Sequence, residues 1–354
     1  MNQVVKITGV GSYIPEKVAT NASFESYRFL NEDGSKIDSP NAVIIEKFKA
    51  ITGILERRYL ETNLVNSDMA FRAAQKAISK SKINPESIDY IIVAHNYGDV
   101  KLDSVQSDTV PSLASRVKFL LQIKNPHCVA YDMLFGCPGW LESVIHAQAF
   151  IKAGMAKTCL VIGSETLSRV IDKHDRDSMI YSDGAGAVIL QAVDEKGGIL
   201  AHETVTHTKD EAHFIYFDTS NEKELKDNTR YIKMYGRKVY NFALSNVPLA
   251  MKKCLDKSGV SISDIKKIFI HQANEKMDEA ICQRFYKLYN MDVPDGIMPM
   301  SISGLGNSSV ATIPTLLDLV ISKQLGNHQV NTGDFVIFAS VGAGMNINAM
   351  VYQF

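Results

Sequence analysis

Lys76-Ala77-Ile78-Ser79-Lys80-Ser81-Lys82-Ile83 runs on to Ser87-Ile88-Asp89-Tyr90-Ile91-Ile92-Val93. Further along, Lys253-Cys254-Leu255-Asp256-Lys257-Ser258-Gly259-Val260 runs on to Asp264-Ile265-Lys266-Lys267-Ile268-Phe269-Ile270. Each copy reads as an amphipathic helix, a short turn and a buried strand, because apolar residues recur at helical spacing and then crowd into a short run. The offset between them is 177 residues, half of the 354-residue chain. A second pair keeps nearly the same offset. Lys157-Thr158-Cys159-Leu160-Val161-Ile162-Gly163 and Asp334-Phe335-Val336-Ile337-Phe338-Ala339 both read as strands, behind helical stretches at 141–153 and 310–323. Similarity at a fixed offset marks duplication. Alternating strands and helices mark mostly parallel sheets covered by helices. The expected fold is α/β, with two duplicated halves, 1–198 and 199–354, packed face to face without a low-complexity linker. The segment 202–240 is the least regular and is expected to be an excursion between them.

Composition narrows the function. A chain with 45% apolar residues buries a large core, and its length alone would allow two or three domains. The net charge of −1 supplies no field to hold nucleic acid or an anionic membrane. No apolar run approaches the ~20 residues needed to span a bilayer. Met1-Asn2-Gln3-Val4-Val5-Lys6 lacks the basic-then-apolar layout of a signal peptide. The five cysteines, 128, 137, 159, 254 and 282, form no CxxC pair. Reduced thiols in a cytoplasmic protein are expected, with neither a disulfide framework nor a metal site.

Cys137 lies in Asp132-Met133-Leu134-Phe135-Gly136-Cys137-Pro138-Gly139-Trp140, where the strand Cys128-Val129-Ala130-Tyr131 passes through a glycine-flanked turn into a helix. At a helix start, unpaired N–H groups and the dipole's positive end are expected to lower the thiol's pKa. Pro138 suits the first helical position. The other four cysteines fall inside strand or helix patterns and read as structural. Of nine histidines, His271 stands out because it ends the second copy of the repeat, in Phe269-Ile270-His271-Gln272-Ala273-Asn274. Residues just past a parallel strand's C-terminal end face the crevice where α/β proteins bind ligands. Its counterpart is Ala94, so the fold itself does not require the histidine. Asn307, in Ser303-Gly304-Leu305-Gly306-Asn307-Ser308-Ser309, is expected at a strand–turn–helix position matching that of Cys137. Packing about a pseudo-twofold would bring the three together, although a helix cap would equally explain Asn307.

At these residues the chain resembles the thiolase-like superfamily, and within it the ketoacyl-[acyl-carrier-protein] synthase III enzymes. The similarity extends to Ile7-Thr8-Gly9-Val10-Gly11-Ser12-Tyr13-Ile14-Pro15, Gly53-Ile54-Leu55-Glu56-Arg57-Arg58, Ser182-Asp183-Gly184-Ala185-Gly186-Ala187 and Gly342-Ala343-Gly344. Thiolases use a second cysteine, and elongating synthases a second histidine. Plant-type polyketide synthases usually show His-Pro-Gly-Gly in place of the His-Gln-Ala-Asn found here. The resemblance implies a five-layered αβαβα fold and a Cys137–His271–Asn307 triad. It implies an oxyanion hole from the N–H groups of Cys137 and Ala343, and a homodimer. Cys137 would take an acyl group from a thioester. A malonyl or related unit would then decarboxylate to an enolate held by His271 Nε2 and the Asn307 amide, and that enolate would attack the acyl-cysteine. The substrates would arrive on acyl carrier protein or as acyl-coenzyme A, with no metal or redox cofactor.

Departures from the family pattern bear on substrate choice. Phe135 and Trp140 flank the nucleophile unusually, and Val110 stands where a bulky aromatic often reaches across the dimer. These three are expected to shape an acyl pocket open to longer or branched chains. Lys47 and Ile51 stand where coenzyme A-primed relatives carry a tryptophan and an arginine. Arg176 is kept and Lys276 replaces an arginine, and these two with Asn274 are expected at the carrier or coenzyme A site. Acetyl-coenzyme A priming is weakened by these changes. An acyl-carrier-protein donor is favoured, or a specialised branch such as the enzymes that join two fatty-acid-derived chains into dialkylresorcinol-type rings. A hydroxymethylglutaryl-coenzyme A synthase-like reaction is the other alternative and requires an added acidic residue near Cys137. A third, non-enzymatic alternative is a superfamily member that only binds acyl chains.

Overall fold

The structure is a computed structural model that describes residues 4–104, 106–225 and 228–354, so Met1, Asn2 and Gln3 of the N-terminal reading lie outside it. Two sheets carry the duplication. The first contains β1 (Val4–Tyr13), β2 (Tyr90–Ala94), β3 (Val129–Met133), β4 (Thr158–Thr166) and β5 (Asp183–Val193), in the order β1-β5-β4-β2-β3. The second contains β6 (Gly198–Thr206), β7 (Ile265–Ile270), β8 (Phe335–Gly342) and β9 (Asn346–Gln353), in the order β7-β8-β9-β6. The orders coincide when β6, β7, β8 and β9 are laid over β1, β2, β4 and β5. Strand directions coincide too: β2 and β4 are parallel, as are β7 and β8, and the later strands of each sheet pair antiparallel. Where β3 lies in the first sheet, the second has only the main chain at Ile297, whose carbonyl accepts from Ile268 N–H at 2.9 Å.

The helices complete five layers. On the outer face of the first sheet, α1 (Asn66–Ser81) packs with the helix Leu113–Leu120. Between the sheets lie α2 (Gly139–Lys152) and the later helix Thr312–Ile321. The outer face of the second sheet is covered by α3 (Gly236–Ser258) and α4 (Glu275–Lys287). Thr312–Ile321 is α5 in chain order. The central layer explains why α2 and α5 are apolar nearly all round, since a helix buried between two sheets has no solvent face. On α1 the buried face combines Met69 and Ile78 with four small residues, Ala70, Ala73, Ala74 and Ala77. They match Gly9 and Gly11 of β1. A Cβ on Gly9 would come 2.3 Å from Ala77 O, and one on Gly11 2.5 Å from Ala77 N. Strand and helix backbones therefore touch with no side chain between them.

Two expectations about the chain path need correction. The stretch 202–240 is not an irregular excursion. It begins inside β6, the edge strand of the second sheet, continues through the antiparallel hairpin Ile215–Thr219 and Arg230–Met234, and ends in α3. The hairpin's second strand buries a charge next to apolar residues, Lys233 being 5% exposed and paired with Asp172 and Asp175, so the pattern does not read as a half-buried strand. Asn307, for its part, follows no strand. Ile302 and Leu305, spaced one helical turn apart, form the short helix Ile302–Leu305, and Ile302 is buried. Among the described residues, no helix is long and apolar enough to cross a membrane.

Candidate active site

Cys137 sits in the turn between β3 and α2, two residues ahead of the helix. Gly139 N–H donates to Gly136 O at 3.0 Å to close that turn, and Gly136 adopts φ +65°, which a side chain would oppose. Pro138 precedes the first residue of α2, one position earlier than expected. The nucleophile's loop is pressed against the end of β8. A Cβ on Gly136 would meet Ala343 O at 2.6 Å, and one on Gly342 would meet Cys137 N at 2.4 Å. This backbone-to-backbone contact brings the N–H groups of Cys137 and Ala343 to the same sulfur.

The thiol is not acidic. Burial pushes Cys137 up to about 11, against the lowering effect of a Ser309 hydrogen bond; the charge of Glu165 adds to the rise, and the two N–H groups oppose it. The expected depression by the helix start is overruled because the sulfur lies in an apolar cavity, where an anion loses its hydration. Attack therefore requires a base.

His271 follows β7 directly, and its N–H donates to Ala339 O at 2.9 Å, which holds it against β8. The rest of its motif is structural. Gln272 Nε2 donates to Ile270 O and Gln272 Oε1 accepts from Ser301 N–H, tying the histidine loop to the segment that leads to Asn307. Asn274 caps α4, its Oδ1 accepting from Met277 N–H at 3.0 Å. Burial drives His271 down to about 4, so the ring is neutral at pH 7. Asn307 is clamped by its backbone to residues 180–182: Asn307 N–H donates to Ile180 O, and Ser182 N–H to Asn307 O. Its Oδ1 accepts from Ser309 N–H at 2.8 Å, which leaves its Nδ2 to donate elsewhere.

Cys137, His271 and Asn307 line one cavity of about 1020 Å³, together with Gly136 and Ala343. Its walls are largely apolar: Leu167, Ile180, Ile215, Ile232 and Met234, the last three from the hairpin. Arg176 and Asn274 line it, as do Lys47 and Ile51. Two pocket expectations are corrected. Trp140 is 1% exposed and lies between the sheets against Phe338, because it starts the central helix on its core-facing side. Phe135 does not border the cavity. Val110, expected to reach across a dimer, is 85% exposed on the chain's surface and does not line this chain's own cavity. Lys276 is also exposed and outside it, since the cap at Asn274 starts a helix that turns it away.

Sequence reasoning missed Ser309, Asn96 and Glu165. Ser309 occupies φ +53°, a strained conformation for a side-chain-bearing residue. The strain aims its N–H at Asn307 and its hydroxyl at Cys137 Sγ, 3.2 Å away. Asn96 Nδ2 donates to Ser309 Oγ at 3.2 Å, and Asn96 N–H and Nδ2 both donate to Glu165 Oε2 at 2.7 Å. Glu165 is fully buried at the end of β4, and its other oxygen finds no partner. A strand ending in Gly163-Ser164-Glu165 was the available signal, since an acid closing an apolar run has to be paired or neutral.

Burial pushes Glu165 up to about 7, with His95 and Asn96 opposing. An unfolded chain releases that proton near 4.5. Between these values the folded chain alone holds the proton, so this group's contribution to stability declines as pH rises from 4.5 to 7 and levels off above. Glu165→Gln is expected to remove that decline. Relative to the variant, the wild-type protein should lose on the order of 3 kcal/mol between pH 4.5 and 8. Urea unfolding at a series of pH values measures it, and parallel curves for the two proteins would contradict the assignment.

A cysteine beside two convergent backbone N–H groups, a neutral buried histidine and an oriented carboxamide are the groups that a carbon–carbon bond-forming acyltransferase on a thiolase-like fold would use. Residues 131–208 match the family described as 3-Oxoacyl-[acyl-carrier-protein (ACP)] synthase III, and residues 255–354 match its C-terminal counterpart. The chain is 33% identical over 350 residues to Beta-ketoacyl-[acyl-carrier-protein] synthase III of Staphylococcus haemolyticus, covering 99% of this chain and 98% of that one. It is 35% identical over 355 residues to the enzyme of that name from Clostridium acetobutylicum, with the same coverage. The crystal structure of 3-oxoacyl-[acyl-carrier-protein] synthase III from Aquifex aeolicus superposes with a TM-score of 0.80 at 29% identity, over 99% of this chain and 100% of that one. The chain belongs to the 3-oxoacyl-[acyl-carrier-protein] synthase III family.

Proposed function

We propose that Cys137 carries the acyl group and that His271 and Asn307 serve the condensation with a malonyl or β-ketoacyl thioester. The observation that carries this reading is the convergence of Cys137, His271 and Asn307 on one cavity beside the N–H groups of Cys137 and Ala343. In the first half-reaction the thiol proton passes to His271 while Sγ attacks the thioester carbonyl. The oxyanion is held by the two N–H groups, and the proton leaves on the departing thiol. In the second, a malonyl thioester loses CO₂, its electron pair becomes an enolate, and the enolate carbon attacks the acyl-cysteine carbonyl. The carbon–sulfur bond breaks with the Cys137 thiolate as leaving group, and that thiolate takes a proton from solvent, the one proton the condensation consumes.

The apolar walls support an acyl group longer than acetyl. Arg176 and Lys47, both lining the cavity, support delivery by an anionic carrier, either acyl carrier protein or coenzyme A. Glu165 does not line the cavity and turns one oxygen onto Asn96, which gives no support to a hydroxymethylglutaryl-coenzyme A synthase-like reaction. Exposed apolar side chains at Val110 and Phe119, beside and within the helix Leu113–Leu120, support a homodimer.

Intact-mass analysis after incubation with a panel of acyl-coenzyme A and acyl-carrier thioesters tests the reading. An adduct on Cys137 is expected, and its mass identifies the primer. Asn307→Ala should still acylate while decarboxylation falls by about 10²–10³-fold, because one enolate donor is gone. An unacylated Asn307→Ala protein would contradict these roles.

A further inference from the structure

Two rungs of polar side chains cross from the second sheet to the elements around Cys137. Asn346 and Asn348, two apart on β9, stand in register opposite Thr206 and Thr204 of β6. In the first rung Thr206 Oγ1 donates to Asn346 Oδ1 at 2.6 Å. Asn346 Nδ2 then donates to Ala343 O at 3.0 Å and to Phe135 O at 3.4 Å. The second rung goes elsewhere. Asn348 Nδ2 donates to Thr204 Oγ1 and to Glu142 Oε2, both at 2.8 Å, and so grips α2. The orientation of the Asn346 carboxamide is decided by its inner partners. Both are backbone carbonyls, which only accept, so the NH₂ end has to face them, and a turned-over amide would set Oδ1 against two oxygens. The Thr206 hydroxyl can serve either end and imposes nothing. Both N–H bonds of Asn346 are thereby used, one on each of two turns. Phe135 O lies in the turn of Cys137, two residues ahead of the nucleophile. Ala343 O belongs to the residue whose N–H is the other donor at the sulfur.

We infer that Asn346 is a positioning residue for the oxyanion hole, whose carboxamide ties the turn carrying the Cys137 N–H to the turn carrying the Ala343 N–H and so sets the spacing of the two donors. The inference rests on the catalytic reading given above and deepens it. Gly136 and Gly342 let the two turns approach, but van der Waals contact leaves them free to slide. Two hydrogen bonds from one planar group fix both distance and direction. That precision matters because oxyanion donors act at about 2.7–3.1 Å from the oxygen they stabilise, and a misplacement of about 1 Å costs about 10²-fold. Asn346 is 8% exposed, so a carbonyl that loses it is not freely rehydrated. It does not line the cavity and touches neither substrate nor sulfur. Its effect reaches the reaction only through the two backbone donors. Local sequence gives no sign of this tie, because Asn346 and Phe135 are 211 positions apart.

Two reactions of the same sulfur separate this role from a merely structural one. Acylation by a thioester passes through a tetrahedral oxyanion. Alkylation by iodoacetamide does not: sulfur bonds to the methylene carbon, the carbon–iodine bond breaks and iodide leaves. Asn346→Leu keeps the bulk and removes both donors. The limiting rate of acyl-enzyme formation, followed by intact mass at rising acyl-thioester concentration, should fall by about 10–100-fold. The half-saturating concentration and the alkylation rate should be unchanged. Thr206→Val removes the hydroxyl that steadies Oδ1 and should show a weaker form of the same selective loss, which Thr206→Ser should recover. Thr204→Val, on the rung that touches neither turn, should acylate as the wild-type protein does. Unchanged acylation by Asn346→Leu, or equal losses of acylation and alkylation, would overturn the proposal. So would a Thr204→Val protein as slow to acylate as Thr206→Val. A wild-type protein that is alkylated but never acylated on Cys137 would instead overturn the catalytic reading itself. Should Asn346→Leu not fold, the Thr206 pair decides, and unchanged acylation by Thr206→Val then counts against the proposal.

Discussion

Cys137→Ala is expected to abolish the acyl adduct and to lower carbon–carbon bond formation by about 10⁵–10⁶-fold, the loss typical of removing a covalent nucleophile. No other cysteine is placed to replace it: Cys128, Cys159, Cys254 and Cys282 are all buried, and none of them lines the cavity that holds His271 and Asn307. The variant should retain the His271–Thr312 and Asn307–Ser309 contacts, which do not depend on the sulfur. It should therefore still release CO₂ from a malonyl thioester without forming a ketoacyl product. Intact mass, product analysis and CO₂ release are read side by side. A residual adduct on the variant would move the nucleophile elsewhere, whereas simultaneous loss of decarboxylation would show that Cys137 also holds the second substrate.

Gly342→Ala is expected to be the next most damaging change, although alanine adds only one methyl group. That methyl would stand 2.4 Å from Cys137 N, 2.7 Å from Cys137 Cβ and 2.8 Å from Pro138 Cδ. None of these atoms is the end of a flexible side chain, so the end of β8 and the nucleophile's turn must separate. Ala343 is the next residue, and its N–H moves with the strand. An oxyanion donor displaced in this way costs about 10²–10³-fold in rate, and overpacking costs about 1–3 kcal/mol in stability. Acylation and condensation should fall together, because both pass through a tetrahedral oxyanion at the same place. Gly304→Ala is the control, since its nearest neighbour would be Glu56 Oε1 at 3.9 Å. Normal acylation by Gly342→Ala, with the Gly304→Ala control intact, would remove Ala343 from the oxyanion site.

Features written in strong periodicity were legible in the sequence. The copies at 76–93 and 253–270 became α1–β2 and α3–β7, and Ala94 and His271 do end equivalent strands. The placing of Cys137 and His271 was legible because one lies just ahead of such an element and the other just after one, whereas Asn307 was expected behind a strand that the fold does not form there. The hairpin walls of the cavity were not, since Ile215, Ile232 and Met234 stand on strands of only five residues, one of which carries the buried charge of Lys233 between Ile232 and Met234. Trp140 was misplaced because one helix start has two faces, and sequence spacing does not say which faces the cavity and which the core. Nor could local sequence report that burial outweighs the helix start at Cys137. Desolvation depends on what the second half brings to the site. The Glu165–Asn96–Ser309 chain was hidden for the same reason: it crosses from one half to the other, and its members are separated by up to 213 positions.

The correspondence of Ala94 with His271 also describes how a symmetric scaffold came to work on one side only. Two identical halves docked about a twofold would present two equal crevices. In this chain the ends of β2 and β7 open onto one cavity, lined by Asn96 and Tyr97 as well as by His271, but the two ends are not equivalent. Ala94 is fully buried, and a Cβ placed on Gly139 would lie 3.3 Å from that of Ala94. An imidazole at position 94 would have to occupy the space where α2 begins, the same helix start that holds Cys137 in place, so the two roles cannot be exchanged by substituting a single residue.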